Sequence, residues 1–282
     1  MSNTDPKSDR RISRRRVLQS GGTIAVLGLG TTPGLAHDST DDPDDYCSET
    51  TLRPGMVHYD DSMHEVCRDD HPESEQLQED VKRSLEENYP TVGALIDDGF
   101  IPYFDFFADG DWSHWIQPDY IGDDSMVDPE RPESVLVDHE WWRPIGVMFI
   151  ATKDGEDVGS PPSVYEDQSD GDGDGDETEG DGDSTDACTP WHAHVGFPGR
   201  YSWWKYKTVY EDGGDFPCRT PWMMHVWRYS HEESIYAHAA PDERGGPPAE
   251  PAGFGTDIDT DEETLGPEHL PDAIKSKVED LW

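Results

Sequence analysis

Lysine is scarce in this chain: seven lysines and fourteen arginines face 63 acidic side chains in 282 residues, for a formal net charge of −42. Binding a phosphate backbone or an anionic bilayer requires clustered Lys and Arg, so nucleic acid and anionic membrane surfaces are excluded as bulk partners. Long apolar runs are missing too. No segment reaches the ~20 apolar residues of a spanning helix, and no stable membrane insertion is expected. Cysteine is limited to Cys47, Cys67, Cys188 and Cys218, none in a C-x-x-C pair. That spacing argues against a zinc ribbon and a thioredoxin-type redox motif. There is no G-x-S-x-G, no H-E-x-x-H, no Walker loop and no G-x-G-x-x-G between a strand and a helix. With so many carboxylates, no single acidic pair is informative about glycoside hydrolysis. These absences leave it undecided whether the chain is an enzyme.

Aromatic residues are plentiful, with 10 Trp, 11 Tyr and 8 Phe, too many for a wholly disordered acidic polymer. The surplus of carboxylates over ammonium groups resembles that of halophilic proteins, whose hydrated acids keep them soluble while salt screens their repulsion. Residues 1–36 resemble a twin-arginine signal peptide. Arg14, Arg15 and Arg16 precede a weakly apolar, glycine-rich run from Gly21 to Gly30, and Gly34-Leu35-Ala36 offers a small-x-small cleavage site. A membrane anchor is the competing reading, and the run is too short and too rich in glycine for it. The expected product is secreted or associated with the cell surface, outside the cytoplasmic membrane. Disulfides suit that address. Four cysteines allow three pairings, of which the local one, Cys47–Cys67 with Cys188–Cys218, closes two modest loops; Cys188 could instead be a thiolate metal ligand.

Composition divides the rest. Residues 37–71 form an acidic leader with the Cys47/Cys67 region. Residues 72–245 form a single domain interrupted by an acidic low-complexity loop, 153–187, and residues 246–282 form a Pro/Gly-rich acidic tail with a short helix, expected to be peripheral. From Glu166 to Ala187 there are 11 acidic residues in 22. Asp170 to Gly175 with Asp181 superficially matches a calcium loop, but its flanks are the same polymer, so a disordered solvated insertion is the better reading. Leu77, Val81 and Leu85, spaced by four, predict a helix from Pro72, and Val92, Leu95 and Ile96 continue the stripe. Ser134–Asp138 and Pro144–Thr152 read as strands joined by a turn from His139 to Arg143. The second is apolar on both faces and should be central. Trp191–Val195 and Trp222–Trp227 also read as strands, and Trp203–Val209 as a further one. The fold class expected is α+β: N-terminal helices packed on a small, mostly antiparallel sheet.

The histidines carry the chemistry. Residues two apart on a strand face the same side, so His192 and His194 project in parallel. His225 lies on another aromatic-flanked strand, and His114 sits between Trp112 and Trp115. Neutral imidazoles converging from several strands suit zinc or copper, with Glu140 as a further ligand or a base on bound water. Met223 and Met224 beside His225 lean toward copper. The bland alternative is that each histidine satisfies a hydrogen bond in a Trp-rich core. His58, His64 and His71, scattered among acids, read as surface. The expected ligands are thus His192, His194, His225 and His114. An aromatic-lined module for carbohydrate or another small ligand, or a purely structural exported domain, are the alternatives.

Taken together, His114-Trp115-Ile-Gln-Pro118, Asp128-Pro-Glu-Arg-Pro-Glu133, Trp191-His-Ala-His194 and His225-Val-Trp227 resemble the ordered elements of an uncharacterised family of exported proteins. In that family a His-aromatic-x-x-Pro element, a D-P-x-x-P-E lead-in, a W-H-x-H strand and an H-x-W strand follow one another. The resemblance covers roughly residues 78–240 without the insertion. It implies that the four histidine elements belong to one module, and it carries no activity.

Overall fold

The computed structural model describes residues 52–108, 110–123, 125–166, 187–211, 213–245, 251–256, 260 and 263–281. All of them belong to one compact unit, 41–282. The signal-like segment, Cys47, the acid-rich stretch 167–186 and its calcium-like spacing lie outside the described residues.

The strands are β1 (Gly55–His58), β2 (Ile101–Pro102), β3 (Trp112–Ile116), β4 (Ser134–Asp138), β5 (Arg143–Lys153), β6 (Glu156–Asp157), β7 (Tyr165–Glu166), β8 (Ala187–Cys188), β9 (His192–Val195) and β10 (Trp222–Trp227). The helices are α1 (Met63–Val66), α2 (Pro72–Glu87), α3 (Val92–Asp97), α4 (Gly199–Tyr210) and α5 (Asp272–Leu281). Eight strands make one sheet in the order β1-β9-β10-β5-β4-β3-β2, with β6 beside β5, and β7 pairs with β8 separately. Every pairing is antiparallel.

This overturns the α+β expectation of N-terminal helices on a small sheet. The fold is dominated by an eight-stranded antiparallel sheet with few helices. The physical reason is that β1, β2 and β6 are two to four residues long, and so short a strand shows no period. In addition, β3 is masked by its aromatics. The expected strand Trp203–Val209 is corrected as well, since it lies within α4, with Trp203 and Tyr206, three apart, buried on one side.

Alternation along the strands divides the core in two. Val135, Val137, Val147, Phe149, Ala151, Trp222, Met224 and Val226 face one way, against Val81 and Leu85 of α2 and Val92 and Leu95 of α3. Leu136, Met148, Ile150, Met223 and Trp227 face the other way, against Trp203 and Tyr206 of α4. The long run Pro144–Thr152 falls within β5, flanked by β4 and β10, and is buried on both faces. Gly146 lets Trp227 close onto β5, because a Cβ there would stand 2.8 Å from the indole. The acidic tail, expected to be peripheral, supplies Leu265, Leu270, Ile274 and Val278 to the core. Among the described residues no helix is long and apolar enough to cross a membrane.

The local disulfide pairing is corrected too. Cys67, at the end of α1, is bonded to Cys188 of β8 across 121 residues, and Cys218 is also disulfide-bonded. A bonded Cys188 is no thiolate ligand. The bridge ties the end of α1 to β8, the strand that follows the acid-rich stretch, and Tyr165 of β7 beside it donates its hydroxyl hydrogen to the Val66 carbonyl (2.8 Å).

Candidate metal centre

The second face of the sheet collects imidazoles. His58 of β1 pairs in register with His192 of β9, and His192 with Met223 of β10, so these side chains share a side. His225 lies two residues on from Met223, and His194 two on from His192, on that same side. His114 stands on β3, three strand spacings from β10 and hence about 14 Å away if the sheet were flat. Yet His114 Nε2 lies 3.2 Å from His225 Nε2, and the ring of Trp112 lies 5.4 Å from that of Trp227. The sheet therefore coils back on itself and its concave face closes around the histidines.

Five rings meet there. His192 lies 5.4 Å from His194, 5.2 Å from His225 and 5.0 Å from His238, centroid to centroid. His238 lies 5.2 Å from both His194 and His225. One ligand nitrogen from each of His192, His194 and His238 falls within 4.8 Å of the other two, a spacing able to hold a metal ion. Burial, reinforced by the neighbouring rings, pushes His192 and His225 well below the usual imidazole range, His194 down to about 3 and His238 to about 4. All four are neutral near pH 7, which is the form that ligates metal.

The hydrogen bonds fix tautomers. His114 Nδ1 faces Asp105 Oδ2 at 2.8 Å, and a carboxylate only accepts, so Nδ1 carries the hydrogen. The same carboxylate accepts the His114 backbone N–H (3.1 Å), which pins it in place. His225 Nδ1–H donates to the carbonyl oxygen of His238 (3.1 Å). In the neutral form of both rings Nε2 is then left with its lone pair. The Nε2 of His192 is buried with no hydrogen-bond partner. A buried polar nitrogen left without a partner costs on the order of 1–3 kcal/mol.

Of the expected ligands, the fold brings His192, His194, His225 and His114 into this one nest. Glu140 is exposed in the turn between β4 and β5; the carboxylate that reaches an imidazole of the nest is Asp105. Met223 lines the concave face, whereas Met224 points into the opposite core. His238 was missed, since it sits in an irregular segment where no periodicity marks it. His58, expected at the surface, is half-buried beside His192, and desolvation, followed by the nearby His64, lowers its pKa. His64 is exposed, and His71 stacks on Tyr165 at 3.5 Å. His139, adjacent in sequence to Glu140, is turned elsewhere, with Nε2 2.7 Å from Ser113 Oγ.

No family model, curated protein or solved structure matches the chain.

Proposed function

We propose that this is an exported metalloprotein that binds a first-row transition ion, zinc or copper, through His192, His194 and His238 on the concave face of the sheet. The observation that carries this reading is the His192 ring: buried, neutral, and with an Nε2 that has no hydrogen-bond partner among rings of the same kind. Most buried side-chain nitrogens have a partner, so this one calls for an explanation. An all-imidazole set suits zinc and copper. His114 and His225 complete the nest, in keeping with the resemblance, which groups the four histidine elements in one module. Export is supported by the Arg14–Arg16 segment with its weakly apolar run and by the Cys67–Cys188 bridge, since structural disulfides persist in oxidising compartments. The acidic surplus fits function in concentrated salt.

One preparation tests this. Protein recovered from outside the cytoplasmic membrane and purified in high salt is expected to begin at His37 and to carry stoichiometric zinc or copper by elemental analysis. The His192→Ala/His194→Ala variant is expected to carry at least one ion fewer. A metal-free wild type whose melting temperature ignores both chelator and added metal rejects the reading.

A further inference from the structure

Two imidazole lone pairs pointed at each other repel. His114 and His225 each commit Nδ1–H elsewhere, to Asp105 and to the His238 carbonyl, so with both rings neutral the 3.2 Å between their Nε2 atoms separates two acceptors. Nitrogens about 2.0–2.1 Å from one ion at a roughly tetrahedral angle lie about 3.3 Å apart. The observed separation is thus that of two ligands on a common cation. Behind one ligand stands a carboxylate, the arrangement that orients and strengthens a metal-binding imidazole. Trp112 flanks His114 at 5.2 Å, and Trp227 flanks His225 at 5.5 Å.

This pair is distinct from the other three rings. His192, His194 and His238 already bring three nitrogens within mutual reach, and His225 is the neighbour common to both groups, 5.2 Å from His192 and 5.3 Å from His114. We infer that the concave face holds two metal ions: one on His192, His194 and His238, and a second divalent first-row cation on His114 and His225, oriented by Asp105. The inference rests on the metalloprotein reading. Two protein ligands leave the second ion with open positions. His114 (15% exposed) and Asp105 (24% exposed) give that side access to solvent, so water or a small anion completes its shell.

The test is stoichiometry. Full-length protein is stripped with chelator, titrated separately with Zn²⁺ and Cu²⁺, desalted, and its metal content measured, with tryptophan fluorescence followed during the Cu²⁺ titration. Wild type is expected to retain two ions per chain and His114→Ala one, with the quenching phase assigned to Trp112 and Trp227 lost. Asp105→Asn keeps both imidazoles, so it serves even if His114→Ala folds poorly; it is expected to weaken the second ion roughly 10- to 100-fold. One ion per chain in the wild type overturns the two-ion centre and leaves the single site standing. Two ions retained by His114→Ala at unchanged affinity overturn it as well. No ion in the wild type removes the metalloprotein reading itself.

Discussion

Glu133, the last residue of the Asp128–Glu133 motif, is almost completely buried, and its carboxylate accepts the backbone N–H of Ile150 at 3.2 Å. Desolvation raises its pKa well above the usual carboxylate range, and the charges of Asp123 and Asp128 add to the rise against the backbone hydrogen bonds. The unfolded chain releases this proton near pH 4.5 while the native state keeps it. Stability from this group is therefore complete below about pH 4.5 and is lost as pH rises toward the folded pKa. Glu133→Gln keeps the acceptor for Ile150 and cannot ionise. It is expected to be more stable than wild type at pH 7, with the difference vanishing below pH 4.5 in urea titrations across pH; equal stability at pH 7 would contradict the assignment. The histidines show how much of such chemistry local sequence conveys. His192 and His194 were legible as a same-side pair because strand alternation is local. Asp105, His58 and His238 were not: each reaches the nest through a partner distant in sequence or from a segment without period.

At the scale of elements, α4 is the clearest departure from local pattern. The run Trp203-Trp-Lys-Tyr-Lys-Thr-Val209 is rich in residues that favour strands. It is helical because one side, Ser202, Trp203 and Tyr206, has a concave surface of Met148, Ile150 and Met223 to bury against; tertiary burial outweighs a propensity worth only tenths of a kcal/mol per residue. The helix begins hard against the histidine nest. A Cβ on Gly199 would stand 2.7 Å from His194 Cβ, so the contact between α4 and β9 depends on glycine. Gly199→Ala is expected to cost on the order of 1–3 kcal/mol through overpacking and to weaken metal binding by displacing His194. Calorimetry with metal titration checks both effects, and an unperturbed variant would show that the helix yields there freely. The helix α2 was the reverse case. Its stripe of Leu77, Val81 and Leu85 and its proline at the first position spelled it out in sequence.

For the whole molecule, the Cys67–Cys188 bridge is a covalent tie between the end of α1 and β8. Tying segments 121 residues apart removes much unfolded-state entropy. The Cys67→Ala/Cys188→Ala variant is expected to lose roughly 3 kcal/mol, about 6–12 °C in melting temperature. A thermal shift of under 2 °C would mean that the sheet alone holds these segments together. Acidic composition, a helix from Pro72, the central strand and the parallel pair His192/His194 were determined by the sequence itself, since charge, helical spacing and strand alternation need only neighbours along the chain. The large antiparallel sheet, the disulfide pairing and the company of His114 and His225 were decided by tertiary structure alone. Those two histidines are 111 positions apart and on strands separated by two others. Only the coiling of the sheet, driven by burial on both its faces, brings them together.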